Sequence, residues 1–201
     1  DNNSKNMKLF EERFDLKGVY FHFMEKNIGI AGAQNYFTNN LLFEETSHVL
    51  FSDQDTIFPI DFITEVHSEI GDYDILIPAY YNEHKSETAG IIVDSGNRLK
   101  RIDGSQNGRI VHGISSGQVV SHGCLRDVGD FLEKFFIDWV DTEWNWRAYC
   151  LGKKLRYSSN ILLSHELGDS HKHLFFGLIG LTERSDTRRI YNISNGLALA
   201  F

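Results

Sequence analysis

Cysteine and proline are scarce in this sequence, with two of each among 201 residues. Cys124 and Cys150 cannot build a disulfide framework or a cysteine-rich zinc site, which points to a reducing compartment. Only Pro59 and Pro78 interrupt the chain, and no Gly/Ser linker, repeat or low-complexity tract marks a domain boundary. Basic residues are in deficit: 20 Lys and Arg stand against 28 Asp and Glu, a formal net charge of −8. A surface of that sign repels phosphate backbones and argues against nucleic acid as the main partner. Long apolar runs are missing too. The longest, Leu174 to Leu181, falls far short of the ~20 residues of a membrane span. The chain opens Asp-Asn-Asn-Ser-Lys-Asn, without a signal-peptide pattern or an initiator Met, so its natural N-terminus is expected to lie upstream.

Apolar and aromatic side chains, by contrast, are plentiful. Hydrophobic residues make up 41% and aromatics 13%, with fifteen Phe, which is enough for a core and rules out wholesale disorder. The charge is unevenly spread. Residues 147–189 hold eight basic groups (Arg147, Lys153, Lys154, Arg156, Lys172, Arg184, Arg188 and Arg189) against four acids. Two readings stay open: a solvated basic face, or a contact with anionic lipid head groups or a diphosphate.

Apolar periodicity predicts alternating strands and helices. A short helix is expected over residues 6–14, a strand over Val19–Met24, a helix over Ile30–Leu42 and a buried strand over His48–Ser52. Phe62, Ile63, Val66 and Ile70 place a helix over residues 60–70, followed by a strand over Ile75–Ala79. Ile91–Val93 and Leu99–Ile102 read as a hairpin, with a polar loop at 82–88 and a turn or loop at 103–109. A helix over Val140–Leu151 is stopped by Gly152, and Leu155–Leu163 reads as strand. This alternation argues for an α/β domain with a mostly parallel sheet.

Asp53-Gln54-Asp55 follows an apolar strand and precedes Phe58-Pro59 and a helix. In an extended backbone the two acids point the same way. Strand C-terminal ends are where α/β proteins bind ligands, and two adjacent carboxylates repel unless a cation joins them. A hard divalent metal carrying a nucleotide diphosphate suits that pair; a solvated acidic turn is the plain alternative. Haloacid-dehalogenase-type phosphatases share an Asp-x-Asp after a strand, but Ile57 stands where they carry Thr or Val. Asn27 to Asn35 (NIGIAGAQN) combines small residues with a helix start, fitting either phosphate approach or tight packing. Asp138 to Trp144 sets Asp138, Asp141 and Glu143 among aromatics, as a helix start with a Glu143–Arg147 pair or as a general base in a partly apolar pocket. His171 and His173 read as exposed loop residues, since no Cys accompanies them.

Taken in order, Asp1–Ser4, Asn27–Asn35, Asp53–Thr56, Ser115-Ser116-Gly117, Asp138–Trp144 and His165-Glu166-Leu167-Gly168 resemble the motif series of the family-2 glycosyltransferases of GT-A fold, in their bacterial rhamnosyltransferase-like branch. The resemblance covers residues 1 to about 168, and Arg188 to Asn195 echoes the family's tail. It implies a single domain over 1–201: a donor part at 1–60, an acceptor and catalytic part at 61–168, and a basic C-terminal tail at 169–201. It implies a Rossmann-like, mostly parallel sheet flanked by helices. The family's opening strand, helix and second strand are expected before Asp1 and are missing from this chain. Position 52 is Ser where the family commonly carries an apolar residue.

The resemblance also assigns roles. Asp1, Asn27, Gly29, Asn35 and Asp53 fall on the nucleotide-donor side, with Asp1 toward a pyrimidine base. Asp55, with Asp53 and His165, falls on a Mg²⁺ or Mn²⁺ ion. Ser116, Gly117 and Trp144 fall on the sugar and acceptor pocket. Asp141 falls on the general base, and Glu143 orients it or touches the acceptor. The implied reaction is inverting transfer of rhamnose or a similar hexose from a dTDP- or UDP-sugar to a glycan or lipid-linked acceptor in surface polysaccharide synthesis. It would take place in the cytoplasm, at the inner face of the membrane if the basic C-terminal part makes a peripheral contact. The rival class is a non-catalytic domain of the same fold that binds nucleotide or carbohydrate.

Overall fold

A computed structural model describes residues 2, 18–82, 87–88, 91–94, 99–102, 108–165, 171–174, 179–182 and 186–200. The short helix expected over residues 6–14 lies outside them. In chain order the elements are α1 (Gly29–Asn40), β1 (His48–Leu50), β2 (Thr56–Ile57), α2 (Phe62–Ile70), β3 (Ile75–Asn82) and β4 (Glu87–Thr88). There follow β5 (Ile91–Asp94), β6 (Leu99–Ile102), β7 (Gly108–His112), β8 (Val119–Ser121), α3 (His122–Val128), a 3₁₀ turn (Glu133–Phe135) and α4 (Val140–Cys150). The chain continues through β9 (Leu155–His165), β10 (His171–Leu174), β11 (Ile179–Thr182) and α5 (Asp186–Ala200).

One mixed sheet organises the molecule, in the order β1-β8-β3-β9-β7-β5-β6, with β2 on β9 and β4 on β3. The expected parallel pairing lies at its centre, where β3 runs beside β9 from Ile75↔Leu155 to Tyr81↔Ser164. The strands outside that pair join antiparallel. The run Ile-Leu-Ile-Pro-Ala-Tyr-Tyr is apolar without alternation because both faces are covered. Ile75, Ile77 and Ala79 enter the larger core with Trp144, Ala148 and Phe135. Leu76 and Tyr80 enter the second core with Phe62, Val66 and Ile70 of α2. Pro78 lacks the N–H a central strand needs, and the register slips between Pro78 and Ala79. The extra residues on β9 turn back on Ser158, whose hydroxyl accepts from the N–H groups of Asn160 and Ile161, each at 3.3 Å.

Most expected elements form within a few residues of their predicted limits. The hairpin pairs as expected, from Ile91↔Ile102 to Asp94↔Leu99. Gly152, at φ +79°, ends α4 and donates to Tyr149 O at 2.9 Å. Four expectations need correction. The loop expected over 82–88 contains the end of β3 and the strand β4, which pairs back on β3 at Tyr81↔Thr88 and Asn82↔Glu87. Val19–Met24 is not a strand: no described segment pairs with it, and Tyr20 stays 74% exposed. Aromatic and branched residues favour a strand only where a neighbour offers hydrogen bonds and packing. Ile63 sits on the outer face of α2 rather than in its core-facing stripe. His171 and His173 belong to β10, paired with β11, not to a loop.

Candidate active site

The acidic pair leaves β1 through Phe51, which is locked on both sides. Its N–H donates to Gln118 O at 3.0 Å, and its carbonyl accepts from Gly117 N at 2.7 Å. Asp53 to Thr56 then form a turn, with Thr56 N donating to Asp53 O at 3.4 Å. The extended geometry expected for Asp53 and Asp55 is therefore replaced by a turn, and both side chains are exposed. Pairing of β2 with β9 sets Thr56 opposite His165. The three residues named for a metal are thus brought to one place by backbone pairing; the His165 side chain lies outside the described residues.

The Ser115-Ser116-Gly117 turn joins this acidic turn to the head of α4. Ser116, 1% exposed, accepts from Asp53 N at 2.9 Å and shares a 2.5 Å hydrogen bond with the Thr56 hydroxyl. Its neighbour Ser115 donates from its backbone N to Asp141 Oδ2 at 3.2 Å. Two adjacent residues, about 3.8 Å apart at Cα, therefore hold both acidic segments. Gly117 is required by space and conformation: φ is +74°, and a Cβ would lie 2.2 Å from Leu163 Cδ1. A buried amide pair braces the turn from behind. Gln118 Nε2 donates to Asn145 Oδ1 at 2.8 Å, and Asn145 Nδ2 donates to Gly113 O at 2.9 Å.

Asp141 is partly buried, and desolvation lifts its carboxyl above the usual carboxylate range. A positive charge on His112 and the N–H groups of Thr142 and Ser115 pull the other way. The Thr142 N–H donates to Oδ1 at 2.8 Å. His112, at the end of β7, is driven below the usual imidazole range by burial, while Asp141 opposes that shift. Its Nδ1 has no hydrogen-bond partner among the described residues. Tyr80 closes the group. Burial raises its phenol, Ser116 works against that rise by hydrogen bonding, and the charges of Asp53 and Asp141 add to it. The sequence carried no signal for His112, Tyr80 or Asn145, because each reaches the site from another strand or helix.

Other residues named for the site serve the framework instead. Glu143, expected beside the base, is 8% exposed and gripped by Arg147: Nε to Oε1 at 2.8 Å and Nη2 to Oε2 at 2.9 Å. Two positions along a helix turn it ~200° away from Asp141. Trp144, expected in the sugar pocket, is 1% exposed in the core, donates to Gly129 O at 2.8 Å and stacks on Phe131. Asn35, expected on the donor, spends its amide on the chain around Phe131. It donates to Phe131 O at 2.9 Å and accepts from Phe131 N at 2.8 Å. Gly29 is needed for close approach, since a Cβ there would lie 2.6 Å from Phe136 O.

The first two motifs do meet. Asn2 accepts from Ile28 N at 2.9 Å and donates to Gly29 O at 3.0 Å, and the Asn27 side chain accepts from Gly29 N at 2.9 Å. Asp1 lies outside the described residues. The described members of the basic stretch are ion-paired. Lys153 pairs with Asp127, Lys154 with Asp72, Arg156 with Glu69, Arg188 with Asp138 and Arg189 with Asp186. Arg147 is taken by Glu143. The side chains of Lys172 and Arg184 lie outside the described residues. No described group of three His, Cys, Asp or Glu is gathered as a metal cluster. Among the described residues no helix is long and apolar enough to cross a membrane.

This framework is that of the GT-A glycosyltransferases. The structure of GalNAc-T7 with UDP, GalNAc and Mn²⁺ superposes with a TM-score of 0.61 at 12% identity, over 82% of this chain and 36% of that one. S. aureus TarS in complex with UDP superposes at 0.50 with 16% identity, over 72% of this chain and 42% of that one. Within the class, the rhamnosyltransferase-like resemblance is borne out along the chain. It is 29% identical over 203 residues to the dTDP-rhamnosyl transferase RfbF of Shigella flexneri, covering 98% of this chain and 68% of that protein. The chain thus spans less than half of either solved relative and about two thirds of the curated one. No protein-family model matches it.

Proposed function

We propose that this chain carries the catalytic part of a metal-dependent, inverting transfer of rhamnose or a similar hexose. The donor is a dTDP- or UDP-sugar, and the acceptor is a hydroxyl of a glycan or lipid-linked sugar in surface polysaccharide synthesis. One observation carries the reading: Ser115 and Ser116 tie the Asp53–Thr56 turn to Asp141. A donor-side acidic turn and a partly buried carboxylate thereby share one small site, as transfer between two bound substrates requires. The relative's name supports a dTDP-linked rhamnose, and the UDP and Mn²⁺ of the solved neighbours support a nucleotide diphosphate with a divalent ion.

In this mechanism Asp141 accepts the proton of the acceptor hydroxyl. The acceptor oxygen forms its bond to the anomeric carbon while the bond to the diphosphate oxygen breaks, and the electron pair leaves with the diphosphate. Desolvation makes Asp141 a stronger base, and the N–H groups of Ser115 and Thr142 aim it and favour its ionised form. Asp55 and Asp53, with His165 the third candidate, would hold Mg²⁺ or Mn²⁺. Bound there, the ion supplies charge neutralisation for the leaving diphosphate. Ser116 fixes the backbone of Asp53, and Tyr80 lies against that hydroxyl.

The test is release of nucleotide diphosphate from dTDP-rhamnose and UDP-sugars with a panel of oligosaccharide acceptors, with and without Mn²⁺. Asp141→Asn should lose about 10²–10⁴-fold in kcat, the usual worth of a general base, with donor affinity kept. Asp55→Ala should lose the Mn²⁺-dependent rate without change in melting temperature, since its side chain is exposed. Donor binding without transfer by the unaltered chain would support the non-catalytic rival. Full activity in Asp141→Asn would remove the base assignment.

A further inference from the structure

The turn that delivers the chain into α4 adopts a conformation that its residues resist. Phe136, Asp138 and Trp139 have φ of 53°, 61° and 65°, the left-handed region that bulky L residues avoid. Trp139 is also the residue before α4, and it has no side-chain cap of its own. Its carbonyl accepts from Glu143 N at 2.9 Å, which starts the helix. Asp141 lies two residues further on, so the path of this turn sets where its carboxylate points.

Among the described residues, α5 holds the turn from the C-terminal side. Asn195, buried at 4% exposure, donates to three successive parts of it: Phe135 O at 2.7 Å, Ile137 O at 3.0 Å and Asp138 O at 3.1 Å. Arg188 grips the Asp138 carboxylate, with Nη2 to Oδ1 at 3.0 Å and Nε to both oxygens at 3.2 Å. Trp139 Nε1 donates to Asn192 O at 2.9 Å, and Phe136 stacks on Tyr191 with ring centres 5.2 Å apart. A turn held against its local preference needs such over-determination from outside. Trp139 and Asn195 lie 56 positions apart, so this is tertiary positioning, not helix capping.

We propose that α5 is a positioning strap for the base, in which Asn195 and Arg188 hold the turn at 136–139 and thereby aim Asp141. This rests on the assignment of Asp141 as base. Asn195 and Arg188 touch no substrate; they act through the turn. Loss of either frees the turn to relax, misdirects Asp141 and lowers turnover, while the donor side at Asp53, held by Ser116 and not by this turn, stays in place.

The experiment compares Asn195→Ala, Arg188→Ala and Arg188→Lys with the unaltered chain for kcat, donor Kd, melting temperature and Trp139 emission. Emission alone is read on a parallel set in which Trp144 and Trp146 are replaced by Phe, so that it reports Trp139, while kcat, Kd and melting temperature are read without those replacements. Expected are a kcat loss of tenfold or more in both alanine variants, donor Kd within twofold, partial recovery in Arg188→Lys and a red-shifted Trp139. If Asn195→Ala does not fold, the half-exposed Arg188 pair decides. Unchanged kcat in Arg188→Ala, or kcat and donor affinity falling together, overturns the strap. If the unaltered chain transfers no sugar, the functional reading fails separately. The strap is then judged by Trp139 emission: unchanged in Arg188→Ala it is overturned, red-shifted it stands as a hold on the turn.

Discussion

Replacing Arg147 by alanine should destabilise the chain more than replacing Glu143, the residue it grips. Glu143 is 8% exposed, and its carboxylate is met by Arg147 through two parallel hydrogen bonds at 2.8 and 2.9 Å. Arg147 also donates to Val128 O at 2.5 Å and Asp130 O at 2.7 Å. Arg147→Ala leaves a buried carboxylate unpaired, which costs about 3–5 kcal/mol. Glu143→Ala leaves a guanidinium that keeps its two carbonyls and reaches water, so the loss is about 2 kcal/mol, that of a charged hydrogen-bonded pair. At ~2–4 °C per kcal/mol for a chain of this size, melting should fall by ~6–20 °C in Arg147→Ala and ~4–8 °C in Glu143→Ala. The double variant should fall by less than the two singles combined, because the penalty of an orphaned charge disappears. Thermal unfolding of the four proteins gives the cycle. Transfer assayed well below all four melting points should show near-normal kcat in Glu143→Ala. The reasoning is refuted if Glu143→Ala keeps its stability and loses turnover a hundredfold, since Glu143 would then be working in the reaction.

The pH dependence of kcat should report Asp141. Burial raises its carboxyl above the usual carboxylate value of 3.8, and the ionised form is the one that accepts a proton. Turnover should therefore be full above that raised value and fall as pH drops through it; an acid limb at or below 3.8, measured in the range where the fold is intact, would remove Asp141 as its source. Gly29→Ala should destabilise by at least ~1–3 kcal/mol, because φ is +76° and the new Cβ would meet Phe136 at 2.6 Å; urea unfolding checks this, and an unchanged midpoint would mean that the turn at Phe136 yields without cost. Burial pushes the Cys124 thiol up to about 12, so a thiol reagent at neutral pH should label exposed Cys150 and spare Cys124 until urea unfolds the chain, with mass spectrometry counting the adducts.

Much of the architecture was legible because it is written in local periods. The apolar run from Ile75, the residues of α2 at helical spacing and the stop at Gly152 each announce an element, since burial and backbone conformation act over a few residues. The identity of the acidic turn and of Asp141 was legible as motif. Whether a motif residue faces a substrate or the core was not. Glu143, Trp144 and Asn35 share the same stretches as Asp141 and Asn27, yet the fold turns them onto Arg147, Phe131 and the loop before the 3₁₀ turn. Neither was it legible that Val19–Met24 would find no pairing partner among the described residues, because pairing depends on a neighbour and not on composition. His112, Tyr80, Gln118 and Asn145 gather around Ser115-Ser116 only when β7, β3 and α4 pack together. Asn195 reaches the turn at 136–139 only because α5 folds back on it. The sequence by itself determined which segments become helix or strand and which carry acids; the tertiary structure decided which acid is tied to the Ser115-Ser116 turn and which is spent as a brace on Arg147, because burial, partners and direction belong to contacts between residues far apart in the chain.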